Sequence, residues 1–551
     1  MTAEASRCGW LVRRAAVLGG VLIVAASAPA RAATPVFVDG AGMCAGLTPC
    51  FTTIQVGVNN AGPAPALVNV FPGTYAESVD LGLMGSAIAG SAGDLTLRTV
   101  DSAGTPAAGT VNVLPAAGAA LRDSLSPFPG NVTIEGFTVK SPNDTGILLS
   151  GVTGTLTLAD IVCDGNAIEG LVAGISAGDM RISNSSFSGN LGGSGIHVKG
   201  PTDVTFDLVT ADGNMGSGAS FTMSGTLVIS HSSFSQNTNG NGLNFFDPVD
   251  VTVDEVVADG NQNTGADFSM TGVLRISNSS FSNTKNGGGL IFSNPSDVIF
   301  EAVVADGNQN SGADFSMSGA LRITHSSFSN AKNGGGLIFS NPSEVVFEAV
   351  VADGNQNSGA DFGLNGSLRI SHSSFSNARN GNGLIFSSPI DTTFDAIVVD
   401  GNSGDGVSAQ LGNARITGSR FDQNGGIGLQ LSPTPAEAVV RLSCNDIAGN
   451  MTGLRLAAMT LVDARHNYWG APSGPTHPNN PGGSGDSIID GNNGGLGVVE
   501  FQPFLTVPSA ESAFCNRGAP ALGSWGLAVL LLGLLVLPGW RLARRDAASH
   551  S

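Results

Sequence analysis

The sequence predicts an all-β solenoid: a right-handed parallel β-helix of about 23–24 residues per coil, with an N-terminal signal peptide and a C-terminal transmembrane or sorting helix. Three observations lead there. An internal repeat recurs every 47 residues, apolar and polar residues alternate with period two inside it, and the chain of 551 residues holds 78 glycines but only 12% charged residues. Glycine without a three-residue period excludes collagen, 41% apolar residues are too many for a disordered chain, and no heptads support a long coiled coil.

The repeat comes first. Asp-Gly-Asn begins at Asp164, Asp212, Asp259, Asp306, Asp353 and Asp400, and Ser-Ser-Phe-Ser or a close variant places Phe187, Phe234, Phe281, Phe328 and Phe375 in a second series. The two series interleave at half the period, so one repeat is two coils. Residues 256–302 and 303–349 differ at only 8 of 47 positions, the mark of a recent duplication. Within a coil, Val298-Ile299-Phe300-Glu301 and Leu321-Arg322-Ile323-Thr324 alternate apolar and polar, as half-buried strands do. Asn, Gly, Ser and Asp fill the turns between them. A coil of three short strands cannot close a core alone. Stacking at about 4.8 Å buries a continuous one, and strand crossovers are almost always right-handed. About 15–16 coils are expected.

The ends read as addresses. Arg7, Arg13 and Arg14, the apolar run Ala15 to Ala26, and Ala30-Arg31-Ala32 form a signal peptide over 1–32, cleaved between Ala32 and Ala33. Trp525 to Trp540 is apolar and is followed by Arg541, Arg544 and Arg545, the pattern of a stop-transfer helix with a cytoplasmic end. Between these ends, residues 33–519 hold 17 Lys and Arg against 41 Asp and Glu, a net charge of −24. No basic patch is visible, so nucleic acid is not an expected partner.

Two resemblances sharpen this reading. Pro520, Leu522, Trp525 and Gly526 match the IPTL-CTERM sorting signal of Gram-negative bacterial surface proteins, a relative of PEP-CTERM, while Ala519 and Ala521 depart from its Ile and Thr. This resemblance implies an exosortase-type membrane protease as partner and a cell-surface or membrane-anchored location. The body, over about residues 36–507, resembles the pectin-lyase-like superfamily of right-handed β-helices. Phe51-Thr52-Thr53-Ile54-Gln55 with Pro72-Gly73-Thr74-Tyr75 is similar to that family's opening segment, which implies a short amphipathic capping helix. Asn467-Tyr468-Trp469-Gly470, Gly474-Pro475 and Val499 to Leu505 are similar to its closing segment. The resulting division is 33–90 for the cap and first coils, 91–465 for the helix proper (clearest over 164–402), 466–507 for the closing segment, 508–518 for a linker and 519–551 for the sorting signal.

Chemistry is fainter. The superfamily's calcium-bound lyase site, its hydrolase motifs and its esterase motif are not recognisable, so no catalytic residue is assigned. Carboxylates do form columns: Asp203, Asp250, Asp297, Glu344 and Asp391, and, four residues on, Asp207, Asp254, Glu301, Glu348 and Asp395. Same-column neighbours lie two coils apart, about 9.6 Å, near the upper limit of the carboxylate separation in inverting glycosidases. Arg275, Arg322 and Arg369 occupy the intervening coils on the same outward parity. The expected reading is a solvated, salt-bridged face, with a Ca²⁺-binding acidic stripe as an alternative and no other cofactor.

His231, His325 and His372 share a turn position with Asn278, which points to a hydrogen-bonding turn ladder. The phenylalanine columns (Phe268, Phe315, Phe362; Phe245, Phe292, Phe339, Phe386) fall on inward parity as stacked core. Cys44 and Cys50 suit a small disulfide loop, whereas Cys163 and Cys444 read as buried small residues. The expected role is an exported, surface-associated rod, structural, adhesive or binding extracellular polysaccharide. The alternative is a polysaccharide lyase or glycoside hydrolase whose site lies in the irregular coils around Lys140 to Lys199 or beyond Asp400.

Overall fold

The computed structural model describes residues 34–516 apart from 63–64, 84–92, 108–110, 125–127 and 129. The expected cleavage point at Ala32 and Ala33 and the sorting motif Pro520, Leu522, Trp525 and Gly526 with its apolar helix lie outside the described residues. Among the described residues, no helix is long and apolar enough to cross a membrane.

Alternation becomes a solenoid. Val132, Leu156, Met180, Val204, Leu227, Val251, Leu274, Val298, Leu321, Val345, Leu368, Thr392, Ala414, Val440 and Val462 are successive Cα partners in parallel register. They mark about fifteen turns. Three faces wrap each one. The first face is a sheet of 20 strands among the described residues, including Val273–Ser277, Asp297–Glu301, Ala320–Thr324 and Glu344–Glu348. The second face stacks Ala266–Ser269, Leu290–Ser293, Ala313–Ser316 and Leu337–Ser340 in parallel. The third is narrow, a ladder of single bridges such as Val257, Ser280, Val304 and Ser327.

Inward residues of all faces merge into one core running from Val36 to Phe501. Its centre is a phenylalanine stack: Phe292 to Phe315 and Phe339 to Phe362 at 4.4 Å between ring centroids, with Phe315 to Phe339 at 5.3 Å. Phe300 and Phe347 of the first face meet this stack edge-on. The two phenylalanine columns of the sequence are therefore one interleaved column in space.

The structure gives the Asp-Gly-Asn motif three separate tasks. The Asp259 carboxylate accepts from the Ser282 backbone N–H at 2.7 Å and from the Ser280 hydroxyl at 2.8 Å, tying one coil to the next. Gly260 and Gly307 adopt φ of +67° and +66°, where a Cβ is strained; the intervening coils use Asn283 and Asn330 at 58°. The Asn is buried and joins a ladder: Asn190 Nδ2 donates to Asn214 Oδ1 at 2.8 Å, and Asn237 Nδ2 to Asn261 Oδ1 at 2.9 Å. A second bend repeats in every coil: His231, Glu255, Asn278, Ala302, His325, Ala349 and His372 all lie at φ between 48° and 54°. His and Asn exchange there because the position selects for backbone, not for chemistry.

Both ends are closed by singular contacts. The helix Ile54–Asn60 buries Ile54, Gly57 and Val58 over the first coils. Thr53 Oγ1 accepts from the Val56 N–H, and the Glu77 carboxylate accepts from the N–H groups of Ile54 and Gln55 at 2.7 and 2.9 Å. Cys44 and Cys50 form a disulfide beside it. At the other end Cys444 is not a buried free thiol: it is bonded to Cys515 across 71 residues. That pairing is hidden in the sequence because stacking, not chain proximity, brings the two together. Residues 508–516, expected as a linker, lie back along the last coils. Ser509 donates from its N–H and its hydroxyl to Asp446, and Phe514 stacks on His466 at 3.9 Å. Cys163 is free and buried.

Candidate functional site: the charged outer faces

Outward residues of the first face form three columns. Asp297, Glu344 and Asp391 stand at the start of their strands and Glu301, Glu348 and Asp395 at the end. Between them, in register, the middle column alternates: Thr252, Arg275, Ile299, Arg322, Val346, Arg369 and Thr393. Each Arg therefore sits one coil away from the carboxylates and two residues along. The expected salt bridges do not form. Among the described residues no ion pair involves Arg275, Arg322 or Arg369, because their nearest register partners are aliphatic or Thr.

The aspartates of these columns instead hold the coil. Asp203, Asp250 and Asp297 accept from the N–H groups of Thr226, Val273 and Ala320 in the following coil, at 2.7, 2.8 and 2.7 Å. Asp254 accepts from the Ser277 hydroxyl and Asn278 Nδ2, and Asp395 from the Thr417 hydroxyl. Asp207 accepts from the Ser230 hydroxyl and pairs with His231 Nδ1 at 2.8 Å. That hydrogen bond, with Glu255 and Asp254 nearby, raises the His231 pKa above its ordinary value and lowers that of Asp207. Most of these contacts repeat with the coils. They are fastenings first, and they leave the arginines free.

The second face holds a column that sequence reasoning passed over. Asn244, Asp267, Ile291, Asp314, Ile338, Asp361 and Ile385 are register partners on its outer side. The carboxylates of Asp267, Asp314 and Asp361 have no hydrogen-bond or ion-pair partner among the described residues, and desolvation by partial burial raises their pKa values. Ile291 is 37% exposed. The signal was present in the sequence as three Asp residues 47 apart, beside the phenylalanines that drew attention to the inward parity.

Singular features are few. A shallow pocket of about 320 Å³ opens where the coil lengthens beyond Asp400, lined by Pro389, Ile390, Asn413, Pro435 and Glu437. In the earlier irregular coils, His197 Nδ1 lies 3.3 Å from Glu169. In the closing segment His477 and Asp490 pair at 3.2 Å with both side chains almost fully buried. Backbone N–H groups of Asn492 and Val499 also reach Asp490, and together they hold its pKa below the ordinary value against the opposing effect of burial. Among the described residues, no group of three or more His, Cys, Asp or Glu side chains could hold a metal ion.

Comparison with known proteins agrees with this architecture. No curated protein and no solved structure matches the chain. The family model described as right handed beta helix region matches residues 118–305, 194–350 and 311–467, which together span more than half of the chain. With parallel register, stacked coils and this match, the chain belongs to the right-handed β-helix family.

Proposed function

We propose that the protein is an exported, cell-surface-associated β-helix rod with a structural, adhesive or polysaccharide-binding role. The observation that carries this reading is the regularity of the outer faces: the same columns recur over coil after coil of near-identical sequence. A catalytic groove needs one acid and one base in one place, whereas selection for length and for a repeated surface keeps coils alike. A family of right-handed β-helices is compatible with structural and polysaccharide-related roles. Two disulfides support an oxidising compartment, and the signal-like residues 1–32 and the sorting-like residues 519–551 support export and anchoring through an exosortase-type protease.

The test incubates the full-length protein with a panel of extracellular polysaccharides, with and without Ca²⁺. New reducing ends and the ultraviolet absorbance of unsaturated products are followed, together with retention on each immobilised polymer. Retention without turnover is the expected result. Turnover would replace the rod by a lyase or hydrolase and direct attention to the pocket beside Glu437 and to Glu169 and His197.

A further inference from the structure

We propose that the rod binds a second copy of itself side by side, the arginine column of the first face of one copy packing on the aspartate column of the second face of the next. The inference rests on the rod reading above and adds the partner.

Both columns are unsatisfied in the single chain. Arg275, Arg322 and Arg369 are exposed and make no ion pair, and Asp267, Asp314 and Asp361 have neither hydrogen-bond nor ion-pair partner among the described residues. Each column alternates charge with an aliphatic residue or Thr, Ile299 and Val346 on one face and Ile291 and Ile338 on the other. The periods are equal at two coils. The phase is equal too: Asp267 and Arg275 belong to one coil, as do Asp314 with Arg322 and Asp361 with Arg369, always eight residues apart. Two parallel copies with no axial offset therefore bring Arg opposite Asp at three levels and aliphatic opposite aliphatic at the levels between.

A second complementarity follows from winding. Parallel cylinders coiled in the same sense run in opposite directions where they touch, so first-face strands lie antiparallel to second-face strands across the contact. That turns the strand-end residues Glu301, Glu348 and Asp395 toward the turns that precede the second face in the neighbouring copy. Those turns carry Lys285, Lys332 and Arg379, each in the same coil as the acid it meets. The interface joins unlike faces, so it leaves a free face at each side and can propagate. Net charge opposes association at long range, but physiological salt screens it beyond about 8 Å and leaves the contacts between paired columns.

The experiment is sedimentation equilibrium of the full-length protein near neutral pH and physiological salt, with circular dichroism to verify each fold. One variant carries Arg275→Asp, Arg322→Asp and Arg369→Asp; a second carries Asp267→Arg, Asp314→Arg and Asp361→Arg. Wild type is expected to gain mass with concentration. Each variant alone opposes like charges and should weaken association by about tenfold or more. An equimolar mixture of the two variants restores Arg against Asp and should recover the wild-type behaviour. A wild type that stays monomeric, association indifferent to both variants, or no recovery on mixing would each overturn the proposal. Polysaccharide retention is read separately, so its failure bears on the binding role and not on this contact.

Discussion

The duplicated coils over residues 256–395 and the closing region from Val440 onward share one fold and are held together differently. In the duplicated coils the main fastenings recur 47 residues apart: Asp259 and Asp306 each bind two serines of the next coil, and the phenylalanines stack on their own kind. The closing region adds contacts that have no copy among the described coils: fully buried Trp469, the Cys444–Cys515 bridge, the His477–Asp490 pair and Ser509 on Asp446. Repetition builds length cheaply because adjacent coils present matching surfaces. An end has no next coil, so it must be sealed by residues chosen for that place alone.

The sharpest way to break this contrast is to open a cavity in each region. Phe315→Ala removes a ring stacked on both sides, and Trp469→Ala removes the largest fully buried side chain of the closing segment. Each should cost about 3–5 kcal/mol. Urea unfolding with hydrogen exchange should show Phe315→Ala loosening coils on both sides of the site, and Trp469→Ala loosening only the coils beyond Val440. Equal loss of protection along the whole rod in both variants would show that the solenoid unfolds as one unit.

Next in size is Cys515→Ser, expected to cost about 2–5 kcal/mol. The loss should appear as protease cleavage within residues 445–514, with the duplicated coils protected. Resistance equal to wild type would mean that Ser509 and Phe514 hold the segment without the bridge.

Asn308→Ala should cost about 1–3 kcal/mol. It strands the Phe281 carbonyl and the Thr284 groups that the amide now satisfies. The chain itself carries Ala331 and Ala378 at alternate ladder positions, so a thermal melt unchanged by Asn308→Ala would show that the ladder is ornamental throughout the duplicated coils.

Acid acts with opposite sign on two pairs of aspartates, one pair from each region. Desolvation raises the pKa values of Asp259 and Asp306, so their ionised forms oppose folding at neutral pH; stability from these sites is recovered as pH falls through the raised values toward the ordinary aspartate range. Asp463 and Asp490 are lowered, by the Arg465 hydrogen bond in one case and by backbone and His477 contacts outweighing burial in the other. Stability from these two is present at neutral pH and lost as pH falls through their depressed values. Hydrogen exchange at stepwise lower pH should therefore show the turns around Asp259 and Asp306 tightening while the segments around Asp463 and Asp490 loosen. The smallest effect is a gain: Ala349→Gly relieves a left-handed φ of 54° at about 1–2 kcal/mol but loosens the unfolded chain by nearly as much, leaving about 0.5 kcal/mol of stabilisation in a melt.

Much of this was legible in the sequence. The coil length, the inward phenylalanines and the turn position of the His and Asn column follow from spacing and parity, although of His231, Asn278, His325 and His372 only the first two make the side-chain hydrogen bonds a ladder would need among the described residues. Two things were not. Cys444 looked like a buried apolar residue because its partner is 71 residues away. The arginines looked salt-bridged because alternate coils carry opposite charge, yet register sets Arg322 beside Ile299 and Val346 rather than beside an acid.

The sequence by itself determined the solenoid, since period two sets which side chains face inward and a 47-residue repeat sets how many coils share one surface. Tertiary structure alone decided which charges are spent and which remain free. Hydrogen bonds are made between coils, at distances fixed by the lateral offset of one strand against the next. Asp297 therefore reaches a backbone N–H of the following coil, while Arg275 and Asp267, eight residues apart in one coil, point outward from different faces with no ion-pair partner among the described residues.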